Sequence, residues 1–124
     1  MRTLTLPLAA ISAALLIAGC ASGSSDPAPA AADQPASVEF VAYDMGYEPI
    51  EATVPAGTVE ITLVNDGAAV HNVIIEELDD LNVAEAGPGE TNAGTVDLAP
   101  GTYTIYCDIP GHRSAGMDRV LFVE

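Results

Sequence analysis

The sequence predicts a small all-β domain, and three observations carry that reading. From Val38 to Glu124 apolar and polar residues alternate in short runs, the period of a half-buried strand. Turn signals, Val54-Pro55-Ala56-Gly57, Asn65-Asp66-Gly67 and Ala99-Pro100-Gly101-Thr102, punctuate those runs. No long stretch of this part keeps a helical period. Together they give a sandwich or small barrel of about seven to eight short strands.

The elements follow in order. Val38, Phe40 and Ala42 alternate with Glu39, Val41 and Tyr43 in a first strand. A second starts at Tyr47-Glu48-Pro49-Ile50, with Ile50, Ala52 and Val54 on one face. Val54 to Gly57 fits a type I turn, with Pro at i+1 and Gly at i+3. Thr58 to Asn65 alternates most clearly, with Val59, Ile61 and Leu63 inward. Val70 to Glu76 is apolar and β-branched and carries His71-Asn72 at its start. Glu77 to Glu90 is acidic and reads as a loop with a short helical turn over Asn82 to Gly87. Thr95 to Leu98 and Thr102 to Cys107 are strands joined by a type II turn at Pro100-Gly101. On the second of them Tyr103, Ile105 and Cys107 share the core face, while Thr104 and Tyr106 point the other way. Arg119 to Val123 ends the sheet.

The chain of 124 residues divides into three parts. Residues 1–19 read as a leader, with a charged Met1-Arg2 start and an apolar run from Leu4 to Ala18 that is short for a membrane span. The end of that run, Ile17-Ala18-Gly19-Cys20, resembles a bacterial lipoprotein lipobox. The resemblance implies cleavage before Cys20 and lipidation of its thiol and new amino terminus; an ordinary secretory peptide is the alternative. More than one acyl chain gives stable anchoring. Residues 20–37, made largely of Ala, Ser and Pro with Gly and Asp among them, bury little and read as a tether or a loose terminus. Residues 38–124 form the domain. The expected location is outside the cell membrane or in the periplasm, held through the lipid anchor.

The formal net charge is -15, from three arginines, no lysine and eighteen carboxylates. Arg2 leaves with the leader, so Arg113 and Arg119 are the cations of the domain. Nucleic acid is excluded as a partner, because a phosphate-binding surface needs clustered cations. The acidity suits a basic docking partner or serves solubility and salt adaptation.

The chemistry concentrates in Tyr106-Cys107-Asp108-Ile109-Pro110-Gly111-His112-Arg113-Ser114-Ala115-Gly116-Met117, with the spacing C-x4-H-x4-M. Sulfur ligands with imidazole select copper, and two His, one Cys and a weak axial Met make a blue-copper electron-transfer site. The missing imidazole has one source, since His71 is the chain's other histidine. Zinc sites seldom use Met, which weighs against the structural alternative. Metal also answers for the domain's single Cys107, an exported thiol with no partner for a disulfide.

These residues resemble the cupredoxins, small blue copper proteins with a Greek-key β-sandwich, over about Val38 to Glu124. The loop spacing is closest to rusticyanin, sulfocyanin and auracyanin. The resemblance implies one copper per chain held by His71, Cys107, His112 and Met117. It implies that Asn72 ties the two ligand-bearing segments together by hydrogen bonds. It further implies a monomeric one-electron carrier, not an enzyme, that exchanges electrons with a c-type cytochrome, an oxidase or a reductase. His112 is the expected exit for the electron, beside Pro110, Gly111 and Ala115, with Tyr106 as a second route. A copper chaperone or storage protein is the alternative, although such proteins favour Met- or His-rich exposed clusters.

Overall fold

The computed structural model describes residues 34–124; the leader, Cys20 and nearly all of the tether lie outside them. The described chain forms nine strands: β1 (Ala36–Tyr43), β2 (Gly46–Glu48), β3 (Glu51–Val54), β4 (Gly57–Asn65), β5 (His71–Ile75), β6 (Leu81–Ala86), β7 (Thr91–Leu98), β8 (Gly101–Tyr106) and β9 (Asp118–Val123). They make two sheets, a four-stranded one in the order β2-β1-β4-β7 and a five-stranded one in the order β3-β9-β8-β5-β6. The chain passes repeatedly between the sheets, and the β1–β4 and β3–β9 pairs are parallel. No helix among the described residues is long and apolar enough to cross a membrane.

Alternation explains the core. Phe40 and Ala42 from β1, Val59, Ile61 and Leu63 from β4, Ile105 from β8 and Leu121 from β9 are fully buried between the sheets. At roughly 1.5–3 kcal/mol for each large side chain removed from water, this layer is the main source of stability. All five residues of β5 are buried, as its run of Val and Ile foretells for an inner strand between β8 and β6.

Four expectations need correction. The helical turn over Asn82 to Gly87 is strand β6, paired antiparallel to β5. Its Ala84 and Ala86 point inward, small residues of high helix propensity whose use here is close packing. Opposite them a Cβ on Gly94 of β7 would stand 2.0 Å from the Val83 carbonyl, so only glycine lets these backbones meet. Next, the run around Pro49 is two strands, β2 and β3 in different sheets, and Ile50 between them is 73% exposed, not inward. Gly101 does not take the positive φ that a type II turn demands, and it starts β8 instead. Lastly, pairing with Val59 and Glu60 brings Ala36 and Ser37 into β1, ahead of the expected start at Val38.

Candidate metal centre

Register places the site. Strands β5 and β8 run antiparallel with Ile74 opposite Tyr106 and Ile75 opposite Ile105. The start of β5 and the end of β8 therefore lie at the same end of the sheet. Continuing that register by two residues brings Asn72 opposite Asp108. Likewise β8 pairs with β9 up to Tyr106 opposite Asp118, so Cys107 and Met117 are the two ends of one loop. The Cys107 N–H donates to the Met117 carbonyl at 3.2 Å and closes that loop at its base.

Inside the loop, the His112 N–H donates to the Ile109 carbonyl at 3.0 Å, and the Met117 N–H to the His112 carbonyl at 3.2 Å. A single 3-10 turn, Arg113–Ala115, ends at Gly116, whose φ of 119° is a conformation that side-chain-bearing residues rarely adopt. The loop thus folds back on itself and turns His112 inward, to 7% exposure. His71, Cys107 and Met117 are fully buried.

One ligand atom each from His71, Cys107 and His112 lie within 4.8 Å of one another. Cys107 Sγ and His112 Nδ1 are 3.6 Å apart, and the two imidazole centroids 5.1 Å apart. Donors about 2.3 Å (sulfur) and 2.0 Å (nitrogen) from a shared ion, at a near-tetrahedral angle, stand about that far apart. Among the described residues His71 Nδ1 is the buried side-chain polar atom without a hydrogen-bond partner. Such an orphan is unfavourable by about 1–3 kcal/mol unless something satisfies it, and a metal ion would. Two imidazoles, a thiol and a nearby thioether fit copper, one ion per chain, better than zinc.

Around these residues the hydrogen bonds are dense. Asn72 Nδ2 donates to Asp108 Oδ1 at 2.7 Å, and the Asp108 N–H donates to Asn72 Oδ1 at 3.1 Å. Below them the Tyr47 hydroxyl donates to the Asn72 carbonyl, and burial holds its pKa far above the ordinary tyrosine range. The other face of His71 meets a carboxylate: Nε2 lies 2.9 Å from Asp44 Oδ1. The Ala68 N–H, and after it the His71 side chain, hold the Asp44 carboxyl below its ordinary value. The turn leading to His71 is fixed by buried Asn65, which donates to the Ala69 and Ala86 carbonyls at 2.8 Å and accepts the Gly67 N–H at 2.9 Å. Asp44, Tyr47 and Asn65 have no place in the site predicted from sequence; each gains one only when the two sheets pack against each other.

The two arginines of the described residues both fasten the loop. Arg113 makes a fork to Glu76 at 2.7 and 3.2 Å and reaches Asp118 at 3.2 Å. Those carboxylates raise its pKa, and its guanidinium sits 4.1 Å above the Tyr106 ring centroid. Arg119 donates to the carbonyls of Tyr47 at 2.8 Å and Gly116 at 2.9 Å. Tyr106 does face away from the core as its strand position implies. It is nonetheless only 9% exposed, roofed by Arg113, with its hydroxyl donating to Asp80 Oδ1 at 2.8 Å. That hydrogen bond pushes its pKa up to about 12. Pro110, Gly111 and Ala115 are exposed around His112. A shallow hollow of about 450 Å³ lies along the loop from Tyr106 to Gly111, with Arg113 and Ser114 on its rim.

Comparison with known proteins agrees with this geometry. Auracyanin from the photosynthetic bacterium Roseiflexus castenholzii, reduced with sodium dithionite, is 27% identical with a TM-score of 0.61, over 71% of this chain and 96% of that one. Auracyanin A, a "blue" copper protein from the green thermophilic photosynthetic bacterium Chloroflexus aurantiacus, is 26% identical with a TM-score of 0.61, over 73% of this chain and all of that one (100%). Auracyanin B is 25% identical with a TM-score of 0.62, over 74% of this chain and 91% of that one. No curated protein matches the sequence. The family model for the cupredoxin-like domain matches residues 8–117, and with two sheets in this order around one His/Cys/His cluster, the chain belongs to the cupredoxin-like family.

Proposed function

We propose that this protein is a one-electron carrier in which His71 Nδ1, Cys107 Sγ, His112 Nδ1 and Met117 hold a single copper ion. Copper bound there supplies a Cu(II)/Cu(I) couple. The observation that carries the reading is the unpartnered, buried Nδ1 of His71, on a ring that clusters with the Cys107 thiol and the His112 ring. The protein's part is rigidity. Asn72, Arg113 and Arg119 tie the loop to the sheets, so the donors keep one arrangement while the charge changes. Such outer bonds orient ligands and tune their donor strength.

Burial favours a carrier over a chaperone or storage protein. Handing over a metal needs accessible donors, whereas His71, Cys107 and Met117 have no exposure and His112 has 7%. An electron needs only a short path, and the His112 edge supplies it, among exposed Pro110, Gly111 and Ala115. With Tyr106 roofed by Arg113, the second route starts from a covered ring. The acidic surface suits a basic face on a partner such as a c-type cytochrome, an oxidase or a reductase. No further histidines remain for a second metal centre, which argues against an enzyme. Residues 1–19 would be removed, Cys20 lipidated and residues 20–37 left as a tether outside the cell membrane or in the periplasm.

The test is spectroscopic, then kinetic. Adding Cu(II) to the metal-free protein is expected to give an intense thiolate-to-copper band in the visible. Stopped-flow mixing with a redox partner is expected to bleach it while the metal stays bound. A colourless protein in excess Cu(II) would sink the copper reading, and transfer of the metal itself would make the protein a chaperone. His112→Gly is expected to open the site and change the spectrum; an unchanged band would remove His112 from the ligand set.

A further inference from the structure

The donor that Asp44 faces decides which nitrogen of His71 is free. Asp44 lies just after β1, and β1 runs parallel to β4, whose exit leads through Asn65-Asp66-Gly67 to His71. Its two oxygens take two N–H donors. Oδ1 lies 2.9 Å from His71 Nε2, and Oδ2 accepts the Ala68 backbone N–H at 2.9 Å. An ionised carboxylate only accepts hydrogen bonds, so His71 must carry its proton on Nε2. On the neutral ring Nδ1 is then a bare lone pair, and it is the buried atom that has no partner. Gly67 leaves the room this arrangement needs. A Cβ there would stand 2.5 Å from Asp44 Oδ1 and 2.8 Å from His71 Nε2.

We propose that Asp44 is a positioning residue for the metal centre: its carboxylate fixes the His71 ring and tautomer so that Nδ1 is ready to bind before the metal arrives. This rests on the copper reading for what Nδ1 binds, but not for how the proton is placed. The same logic holds wherever a metal-bound histidine donates its other N–H to a carboxylate, which orients the ring and raises its basicity. A more basic ligand favours the higher oxidation state, so the carboxylate also holds the reduction potential down.

Counting donors shows why an amide cannot replace it. In Asp44→Asn one of the two N–H groups would face the NH2 of the new side chain. If that NH2 turns to His71, it donates to Nε2 and drives the proton to Nδ1, which blocks the ligand. If it turns to Ala68, the loop loses its tie. Asp44→Ala removes both contacts and leaves His71 free to hold either tautomer.

Long-range 15N–1H correlation of His71 in the metal-free protein, with Cu(II) titration and the reduction potential of the loaded form, tests this. The wild-type protein is expected to show one tautomer with the proton on Nε2. Asp44→Ala is expected to lose that single tautomer, and Asp44→Asn to lose either it or the tie to Ala68; both are expected to bind Cu(II) about 10- to 100-fold more weakly and to have a raised potential. A backbone amide spectrum confirms the fold, and Asp44→Asn, close in size to the native residue, decides if Asp44→Ala does not fold. Folded variants that keep the proton on Nε2 and hold Cu(II) within about twofold of wild type would overturn the proposal. Failure of the wild-type protein to bind copper would instead sink the function proposed above, while the tautomer comparison would still decide the role of Asp44.

Discussion

Asn72 and Asp108 grip each other twice across the gap between β5 and the ligand loop, the amide donating at 2.7 Å and its oxygen accepting the Asp108 N–H at 3.1 Å. One residue before each lies a candidate ligand, His71 and Cys107. The distance between imidazole and thiol is therefore set by a two-bond clasp rather than by the loop's own stiffness. Tyr47 braces the same point from the opposite sheet, through its hydrogen bond to the Asn72 carbonyl.

Cutting that clasp should cost stability even without metal. Asn72 is 2% exposed, so Asn72→Ala leaves the Asp108 N–H without its acceptor in a partly dry setting. We expect a loss of about 2 kcal/mol in urea unfolding of the metal-free protein. A change below about 0.5 kcal/mol would mean that water replaces the amide without penalty.

Arg113 offers a second, weaker handle. Its side chain and those of Glu76 and Asp118 are 40%, 44% and 46% exposed, so solvent screens the ion pairs. Each is worth about 0.2–1 kcal/mol, with the contact over Tyr106 adding about 0.5–1 kcal/mol. Arg113→Ala should therefore lower stability by about 1–2 kcal/mol. Arg113→Lys should recover less than half of it, because an ammonium cannot make the fork to both Glu76 oxygens. Full recovery in the lysine variant would assign the effect to charge alone.

Much of this was legible in the residues. Strands β1, β4, β8 and β9 alternate, and the candidate ligands stand out because the domain has one Cys and two His. What stayed hidden was non-local. Asp44 is one of eighteen carboxylates, and only the parallel β1–β4 pairing brings it to His71. Four of the six residues of Leu81–Ala86 are helix formers, and tertiary packing overrides that propensity, because its inward alanines fit where the sheets come close. Tyr106 occupies an outward strand position, yet a residue seven places on, in the folded-back loop, covers it. Period tells which side of a sheet a residue faces, and nothing about what later folds over that side.

Acid sensitivity should arise in part at Glu77. Its oxygens accept the Thr104 backbone N–H at 2.7 Å and the Thr104 hydroxyl at 2.9 Å. Reduced hydration works to raise its pKa, but the hydrogen bonds from Thr104 prevail and the net shift is below the ordinary 4.5. A lowered folded-state pKa gives stability that is fully present above 4.5 and disappears as the pH falls below it, through the folded value. Comparing wild type with Glu77→Gln from neutral to acid pH should show a stability gap that closes on acidification. A gap that widens on acidification would reverse the sign of the interaction.

Asn65 gives the sharpest contrast between two nearly isosteric residues. It is fully buried, and its NH2 group points at two carbonyls, those of Ala69 and Ala86, while its oxygen accepts the Gly67 N–H. Removing the side chain strands three backbone groups, so Asn65→Ala should lose about 3 kcal/mol, near 1 kcal/mol for each bond. Asn65→Asp keeps the shape but has no donor for the two carbonyls and places a negative charge against both. At neutral pH it should therefore be less stable than the alanine variant, although alanine deletes more contacts. Urea unfolding at pH 7 orders the three proteins directly: wild type, then alanine, then aspartate. If aspartate ranked above alanine, water or a bound proton would be supplying the missing hydrogen bonds, and the turn before His71 would owe its form to something other than this amide.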